Sequence, residues 1–415
     1  MKAIIYEVNP IGWGTCKWLR YFWEGSLVSR LNGLTLREVE TPSLPGPEWV
    51  RVKTLLGGIC GTDLAILRQK QPANSILPSY SSMPMLFGHE NVAIVEEVGE
   101  KVDSHWVGKR VCVEPTLSCV PRGIEPKCSR CEAGEYGACE NFGANGQGAS
   151  RLPAGTSIGY NSRTGGSYGE YFVAHASQLV AVDDSLRDEE LILIDPAACS
   201  MHAILRADLS STNQILVYGG GVIGLTLVAG LRAVGYAGRI DVLDRSAFAG
   251  KLASQYGADQ WVKLPGQAKD RFERIADLTG GSVQKSRFSQ YMLNGGYDVI
   301  FECVGSAQSI NESLKWTRSR GQVVLVGTDH GGQVDLTPIW FRELQILGAY
   351  GRQEESISGR RINTYEFVHE LMLQKKLQLA GLLTHTYRIE AYREAFTASL
   401  HKEQHHAVKV AFDFR

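Results

Sequence analysis

Three side chains in the first ninety residues carry metal-ligand chemistry. Cys60 lies in Gly58-Ile59-Cys60-Gly61-Thr62-Asp63, and Gly88-His89-Glu90 follows about thirty residues later. A thiolate, an imidazole and a carboxylate are all zinc donors, and a catalytic zinc takes three protein ligands while keeping one position open. Taken singly each piece is weak, because a lone Cys is most often a small buried hydrophobe and a His-Glu pair a surface or core feature. A second group is more local: Cys128, Cys131 and Cys139 fall within twelve positions. The nine cysteines are an odd number, and the start, Met1-Lys2-Ala3-Ile4-Ile5-Tyr6, has no apolar leader core. That combination reads as metal ligation rather than disulfides, in a protein expected in the cytoplasm.

A third group binds nucleotides by its backbone. Gly219-Gly220-Gly221-Val222-Ile223-Gly224 follows an apolar strand pattern and opens a helical one. In G-x-G-x-x-G the first glycine allows the tight turn and the second lets backbone approach a pyrophosphate. The third lets helix pack on strand, with Val222 and Ile223 in the first helical turn facing the phosphates. The motif alone also fits a ligand-free glycine turn. Asp244, about twenty residues beyond Gly224, raises it, since a carboxylate there binds ribose hydroxyls. It repels a 2′-phosphate and so favours NAD, whereas Arg245 would serve NADP.

The elements that must position these groups divide near residue 196. Before it, strand-like stretches such as 49–53 and 92–98 alternate with Gly- and Pro-rich loops. After it, apolar runs at 215–218, 240–243, 260–263, 298–302, 322–326 and 345–348 alternate with helical patterns. Six such runs predict a doubly wound parallel sheet, hence an α/β fold. A helix over 364–375 and a strand within 407–412 complete the chain. The reading is a first domain at 1–196, a nucleotide-binding domain at 197–350, and a segment, 351–415, that returns to the first. Residues 10–32, 120–127 and 141–166 look like excursions. With 43 Lys+Arg against 44 Asp+Glu, the chain lacks the basic footprint of a nucleic-acid binder. The uncharged stretch 209–231 is broken by Asn213, Gln214 and three glycines, which argues against a membrane span.

In order, Gly-Ile-Cys-Gly-Thr-Asp, Gly88-His89-Glu90, Gly108-Lys109-Arg110-Val111 and the 219–224 glycines resemble the zinc-dependent medium-chain dehydrogenase/reductase family. The resemblance covers nearly the whole chain outside 10–32 and 141–166. It implies a GroES-like β-rich catalytic domain followed by a Rossmann domain. It makes Cys60 and His89 ligands of a catalytic zinc and Glu90 a ligand or close neighbour. The remaining family position falls in Leu193-Ile194-Asp195-Pro196, where the polyol and sugar branch has Glu-Pro. Asp195 is shorter, so a water-bridged contact stands beside direct ligation, and Cys199 is a rival.

Cys128-x2-Cys131-x7-Cys139 agrees with the family's structural-zinc lobe. Cys119 would complete a closed four-thiolate site across the 120–127 excursion, with Cys112 as substitute. Thr62 matches the hydroxyl that begins a proton relay, but Ala65 stands where many relatives carry His. Val304 and Val326 match positions beside the nicotinamide. The implied reaction moves a hydride from a secondary alcohol of a polyol, cyclitol or sugar to NAD, in a homodimer or homotetramer with no nucleic-acid or membrane partner. The alternatives are an aromatic or aliphatic alcohol/ketone dehydrogenase and a non-catalytic binding protein derived from one. The aromatic stretch Trp13, Trp18, Tyr21, Phe22, Trp23 is expected to pack over the β-rich half or line a subunit contact.

Overall fold

Alternation builds the first sheet. In Trp49–Gly58 the side chains of Val50, Val52, Thr54 and Leu56 are buried while Lys53 faces solvent, as in a strand with one covered face. The computed structural model describes residues 1–70, 75–288, 290–328 and 332–415. In it this strand lies within a sheet ordered Leu383–Tyr387, Lys409–Asp413, Trp49–Gly58, Glu90–Val98, Arg110–Val113, Leu179–Ala181, and Tyr171–His175 also pairs with it. A smaller sheet joins Leu34–Glu38, Lys2–Tyr6 and Met85–Leu86. The tail strand runs antiparallel to Trp49–Gly58, with Ala411 opposite Gly58. All these strands belong to one unit, Met1–Asp195 with Arg352–Leu373 and Ala380–Arg415.

The second unit is Pro196–Gly351 with Gln374–Leu379. Its main sheet has six strands, all parallel, in the order Gln260–Val262, Arg239–Leu243, Gln214–Tyr218, Tyr297–Glu302, Thr317–Leu325, Gln345–Gly348. Each coincides with an apolar run expected from the sequence. Strand order reverses between Gln214–Tyr218 and Tyr297–Glu302, and the carboxyl ends at such a reversal are where doubly wound sheets take ligands. Among the described residues, no helix is long and apolar enough to cross a membrane.

The aromatic excursion leaves most of its rings exposed. Its helix, Pro10–Leu19, is capped by Asn9 Oδ1, which accepts the Ile11 and Gly12 N–H groups at 3.0 and 3.2 Å. Cys16 is its buried residue, whereas Trp18, Tyr21, Phe22 and Trp23 are each more than half exposed. Cys16, Leu27 and Val28 join the buried cluster of Ile4, Tyr6 and Phe87, and polar bonds add to that anchorage. Asn32 Nδ2 donates to the Leu27 and Leu67 carbonyls, Gln69 Nε2 to the Trp13 carbonyl, and Arg20 to the Arg68 carbonyl.

Two buried charges hold the other irregular segments. Arg122, fully buried, donates to the carbonyls of Leu117, Ala144, Pro153 and Gly155 at 2.6–3.0 Å, and lies within 3.5 Å of those of Phe142 and Leu152. One guanidinium thus ties 141–155 to the short helix Cys119–Arg122; burial lowers its pKa to about 10. Elsewhere in this unit, Asp195 Oδ2 accepts Arg352 Nε at 3.0 Å, an Arg352 terminal nitrogen at 2.5 Å and Tyr365 O–H at 2.5 Å. Burial opposes ionisation of Asp195, but Arg352 and then His89 hold its carboxyl below the usual range. Arg352 Nε also lies 3.9 Å from Glu114, itself hydrogen-bonded by the Thr116 hydroxyl and N–H. This network fastens the returning segment to the first unit.

Two outcomes follow from these charges. Arg122→Met strands several buried carbonyls without donors, and equilibrium urea unfolding should register a loss of at least about 3 kcal/mol. Arg122→Lys, with three donors instead of five, should recover only part of it. At Glu114, burial pushes the carboxyl from 4.5 up to about 7, against Arg352 and Thr116. The folded state therefore keeps a proton that the unfolded chain gives up above pH 4.5, so stability falls as pH rises toward 7. Glu114→Gln removes that cost, and its stability relative to the parent should grow by roughly 2–4 kcal/mol between pH 4 and 8. A constant difference across that range would refute the assignment.

Candidate active site and metal centres

Strand register brings the first three donors together. Trp49–Gly58 pairs antiparallel with Glu90–Val98, with Gly58 opposite Glu90. One strand ends where its neighbour begins, so Cys60, two residues past the pair, and His89, one residue before it, fall at the same sheet end. Cys60 then occupies the N-cap of the helix Gly61–Leu67. A Cβ on Gly58 would stand 2.3 Å from Glu90 Oε2, so only glycine leaves this carboxylate its place. Among the described residues, one donor atom each from Cys60, His89 and Glu90 lie within 4.8 Å of one another.

The donor chemistry fits a metal cation. His89 is buried and its Nδ1 has no hydrogen-bond partner, a costly state for a ring nitrogen unless a ligand completes it. Burial, and then the charges of Glu90 and Asp63, push the Cys60 thiol up to about 12. A thiolate here therefore needs a cation beside it. Glu90 is ion-paired with Lys409, whose fully buried ammonium also donates to the Ile59 carbonyl at 3.1 Å. Burial lowers the Lys409 pKa, but Glu90, Cys60 and Asp195 together raise it by more, so this lysine stays charged. Thr62 Oγ1 lies 3.8 Å from Cys60 Sγ.

Asp195 is not placed as the expected ligand. It is absent from the Cys60, His89, Glu90 group, and its Oδ2 is engaged by Arg352 and Tyr365. Both guanidinium N–H groups and the Tyr365 hydroxyl converge on that one oxygen, and the Arg352 charge balances the carboxylate. Cys199 lies in the second unit and outside that group. Lys409, Arg352, Tyr365 and Asp63 escaped sequence reasoning as site residues. Only Lys409 had a local signal, a lone charge in the apolar run 407–412.

The four cysteines form the second cluster. The sulfurs of Cys119, Cys128, Cys131 and Cys139 lie within 4.8 Å of one another, with Cys119 to Cys139 at 3.7 Å and Cys128 to Cys139 at 3.9 Å. Sulfurs bound about 2.3 Å from a tetrahedral zinc stand about 3.8 Å apart, so the set suits that ion. The N–H of Cys128 donates to Cys119 Sγ, and those of Asn141 and its side-chain amide to Cys139 and Cys119 sulfurs, at 3.2–3.4 Å. Such bonds favour thiolates. Cys112 is elsewhere, buried with its Sγ on the Leu191 carbonyl.

In the second unit the glycine turn keeps its separate roles. Gly219 has φ +115°, and a Cβ on Gly224 would stand 1.8 Å from the Gly219 carbonyl oxygen, so these two permit the turn and the helix packing. A Cβ on Gly221 would meet nothing within 4 Å, which leaves the N-terminus of the helix Val222–Ala233 open to a phosphate. Asp244 accepts the Gly220 N–H at 2.7 Å and the Ser246 N–H at 2.8 Å, while Arg245 is exposed. Val304 and Val326 stand at strand ends. Glu302, fully buried, sets both loops: its carboxylate takes the Val304 and Gly305 N–H groups, and its carbonyl those of Val326 and Gly327.

Comparison with known proteins agrees with both halves. Residues 46–184 match the model of the alcohol dehydrogenase GroES-like domain, and residues 222–366 that of the zinc-binding dehydrogenase. The chain is 29% identical to L-idonate 5-dehydrogenase of Vitis vinifera over 94% of this chain and 95% of that protein. It is 28% identical to sorbitol dehydrogenase of Arabidopsis thaliana over 94% and 96%. The crystal structure of 2R,3R-butanediol dehydrogenase from Bacillus subtilis has the same fold, with a TM-score of 0.71, 23% identity, and coverage of 100% of this chain and 99% of that one. A GroES-like β-rich unit carrying clustered zinc donors, followed by a six-stranded Rossmann unit, places the chain among the zinc-dependent medium-chain dehydrogenases/reductases.

Proposed function

We propose that the protein oxidises a secondary alcohol of a polyol, cyclitol or sugar acid, passing the hydride to NAD. The observation that carries this reading is the buried Cys60, His89 and Glu90 donor set with its partnerless imidazole nitrogen. Those residues would hold the catalytic zinc, with Glu90 as ligand or immediate neighbour. Cys119, Cys128, Cys131 and Cys139 would hold a second, structural one. When bound, the catalytic ion supplies Lewis acidity that lowers the pKa of the substrate hydroxyl. Gly219–Gly224 would hold the pyrophosphate of NAD and Val304 and Val326 would contact its nicotinamide side, and the cofactor would supply the hydride acceptor.

The chain's own residues then have distinct tasks. Lys409 neutralises Glu90, so the donor set carries less excess negative charge. Thr62 Oγ1 is the first proton acceptor for the substrate hydroxyl. Ala65 offers no continuation, so the proton leaves through water or ribose hydroxyls. Asp195 is held in place by Arg352 and Tyr365 beside the donor set. The substrate class rests on the Asp195-Pro196 pair and on relatives named for idonate and sorbitol.

Elemental analysis of the purified protein should find about two zinc ions per chain. NAD reduction should be faster with sorbitol, idonate or inositol than with benzyl alcohol. Cys60→Ser should lower kcat/KM at least about a hundredfold and remove one zinc, leaving the other. Bound zinc with turnover confined to benzyl-type alcohols would overturn the substrate class, and absence of zinc the whole reading. Asp244 gives a separate outcome. Its charge next to a 2′-phosphate should make NADP the poorer cofactor, and Asp244→Asn should narrow the NAD-to-NADP ratio of kcat/KM by about tenfold or more.

A further inference from the structure

Beneath Cys60 sits a carboxylate that the proposed chemistry does not use. Asp63 is fully buried, and its carboxylate collects three donors. Oδ2 accepts the Cys60 backbone N–H at 3.0 Å and the Tyr168 hydroxyl at 2.5 Å, and Oδ1 accepts the Tyr160 hydroxyl at 2.8 Å. Burial, with the Asp63 charge beside it, holds the Tyr168 hydroxyl well above its ordinary pKa, so it remains a donor. The first bond is the reciprocal half of a capping box that fixes Cys60 at the start of its helix.

Tyr160 does more than satisfy a lone pair. Its ring centroid lies 5.2 Å from that of the His89 imidazole, tilted by 48°, and 6.4 Å edge-on from Phe87. It comes from the 141–166 excursion, whose backbone reaches this place with the Ser82 N–H donating to the Tyr160 carbonyl at 3.2 Å. One side chain thus bonds the acid that fixes Cys60 and braces the ring of His89. Cys60 and His89 arrive on different segments, and nothing in strand pairing alone sets their side-chain angles.

We infer that Tyr160 is a positioning residue, contributed by the excursion, which sets the mutual geometry of Cys60 and His89 for a bound metal ion through Asp63 and through ring contact. The inference rests on these two residues being metal ligands. Groups that orient ligands in this way are typically worth about 10–100-fold in metal affinity. Removal of the hydroxyl leaves Asp63 Oδ1 without its donor and loosens the hold on Cys60. Removal of the ring also releases the His89 imidazole.

The test uses the full-length protein loaded with cobalt(II), whose visible absorption reports ligand geometry, together with zinc competition titrations. Parent, Tyr160→Phe and Tyr160→Leu are compared, and the four-cysteine site serves as internal control. The inference expects about 10-fold weaker binding at the Cys60 site in Tyr160→Phe and up to about 100-fold in Tyr160→Leu. It also expects a displaced cobalt absorption band in both, with occupancy of the four-cysteine site unchanged. Parent-like affinity and spectrum in both variants overturns it. If Tyr160→Leu fails to fold, Tyr160→Phe decides alone. A parent protein with no metal at Cys60 defeats the functional reading instead, before any variant is examined.

Discussion

A buried pair of negative donors needs positive charge close by, and the sheet supplies it. Gly58 is paired on one side with Glu90 and on the other with Ala411, which brings Lys409 to the same sheet end as Cys60. The ammonium is fully buried and its partner carboxylate nearly so. A pair of this kind gives little net stability, because desolvation offsets the attraction, but losing one member leaves a buried charge that costs about 3–5 kcal/mol. The rest of the centre inherits this arrangement. Glycine at 58 makes room for the carboxylate, Asp63 fixes the start of the helix, and His89 Nδ1 is bonded by no protein group.

The two irregular segments are structural parts of the first unit. Arg122 gathers carbonyls from 141–155, and the same short helix begins at Cys119, so the four-cysteine lobe and the excursion share one buried cation. The excursion then continues to Tyr160 beside His89. The returning segment enters through a different cation, Arg352, which holds Asp195 and faces Glu114. Buried guanidinium hydrogen bonds thus fasten both the 141–155 stretch and the returning segment.

The parts legible in the sequence are those governed by local rules. Six apolar runs gave six parallel strands because a strand covered on both faces carries no alternating polar positions. The glycine pattern was readable because each glycine answers a separate steric demand within six residues. The cysteine spacing survived an eight-residue gap because the 120–127 excursion folds back at Gly123. What escaped was set at long range. Asp195 meets Arg352 and Tyr365 across 157 and 170 residues, so its local Asp-Pro context could not reveal that it was engaged. In the aromatic run at 13–23, composition alone could not tell the exposed Trp18, Tyr21, Phe22 and Trp23 from the buried Cys16, and the hydrogen bonds that moor the segment come from Asn32, Gln69 and Arg20.

The distance between Glu90 and Lys409 along the chain has a bearing on biogenesis. They are 319 residues apart, and a ribosome adding about 5–20 residues per second takes roughly 15–60 seconds to cover that gap. Throughout that interval the nascent strand bearing His89 and Glu90 has no counter-ion and no final sheet neighbour beside Gly58. Lys409 therefore joins Glu90 only when translation has almost finished, whereas Cys60, His89 and Glu90, and then the four cysteines between residues 119 and 139, are all synthesised early.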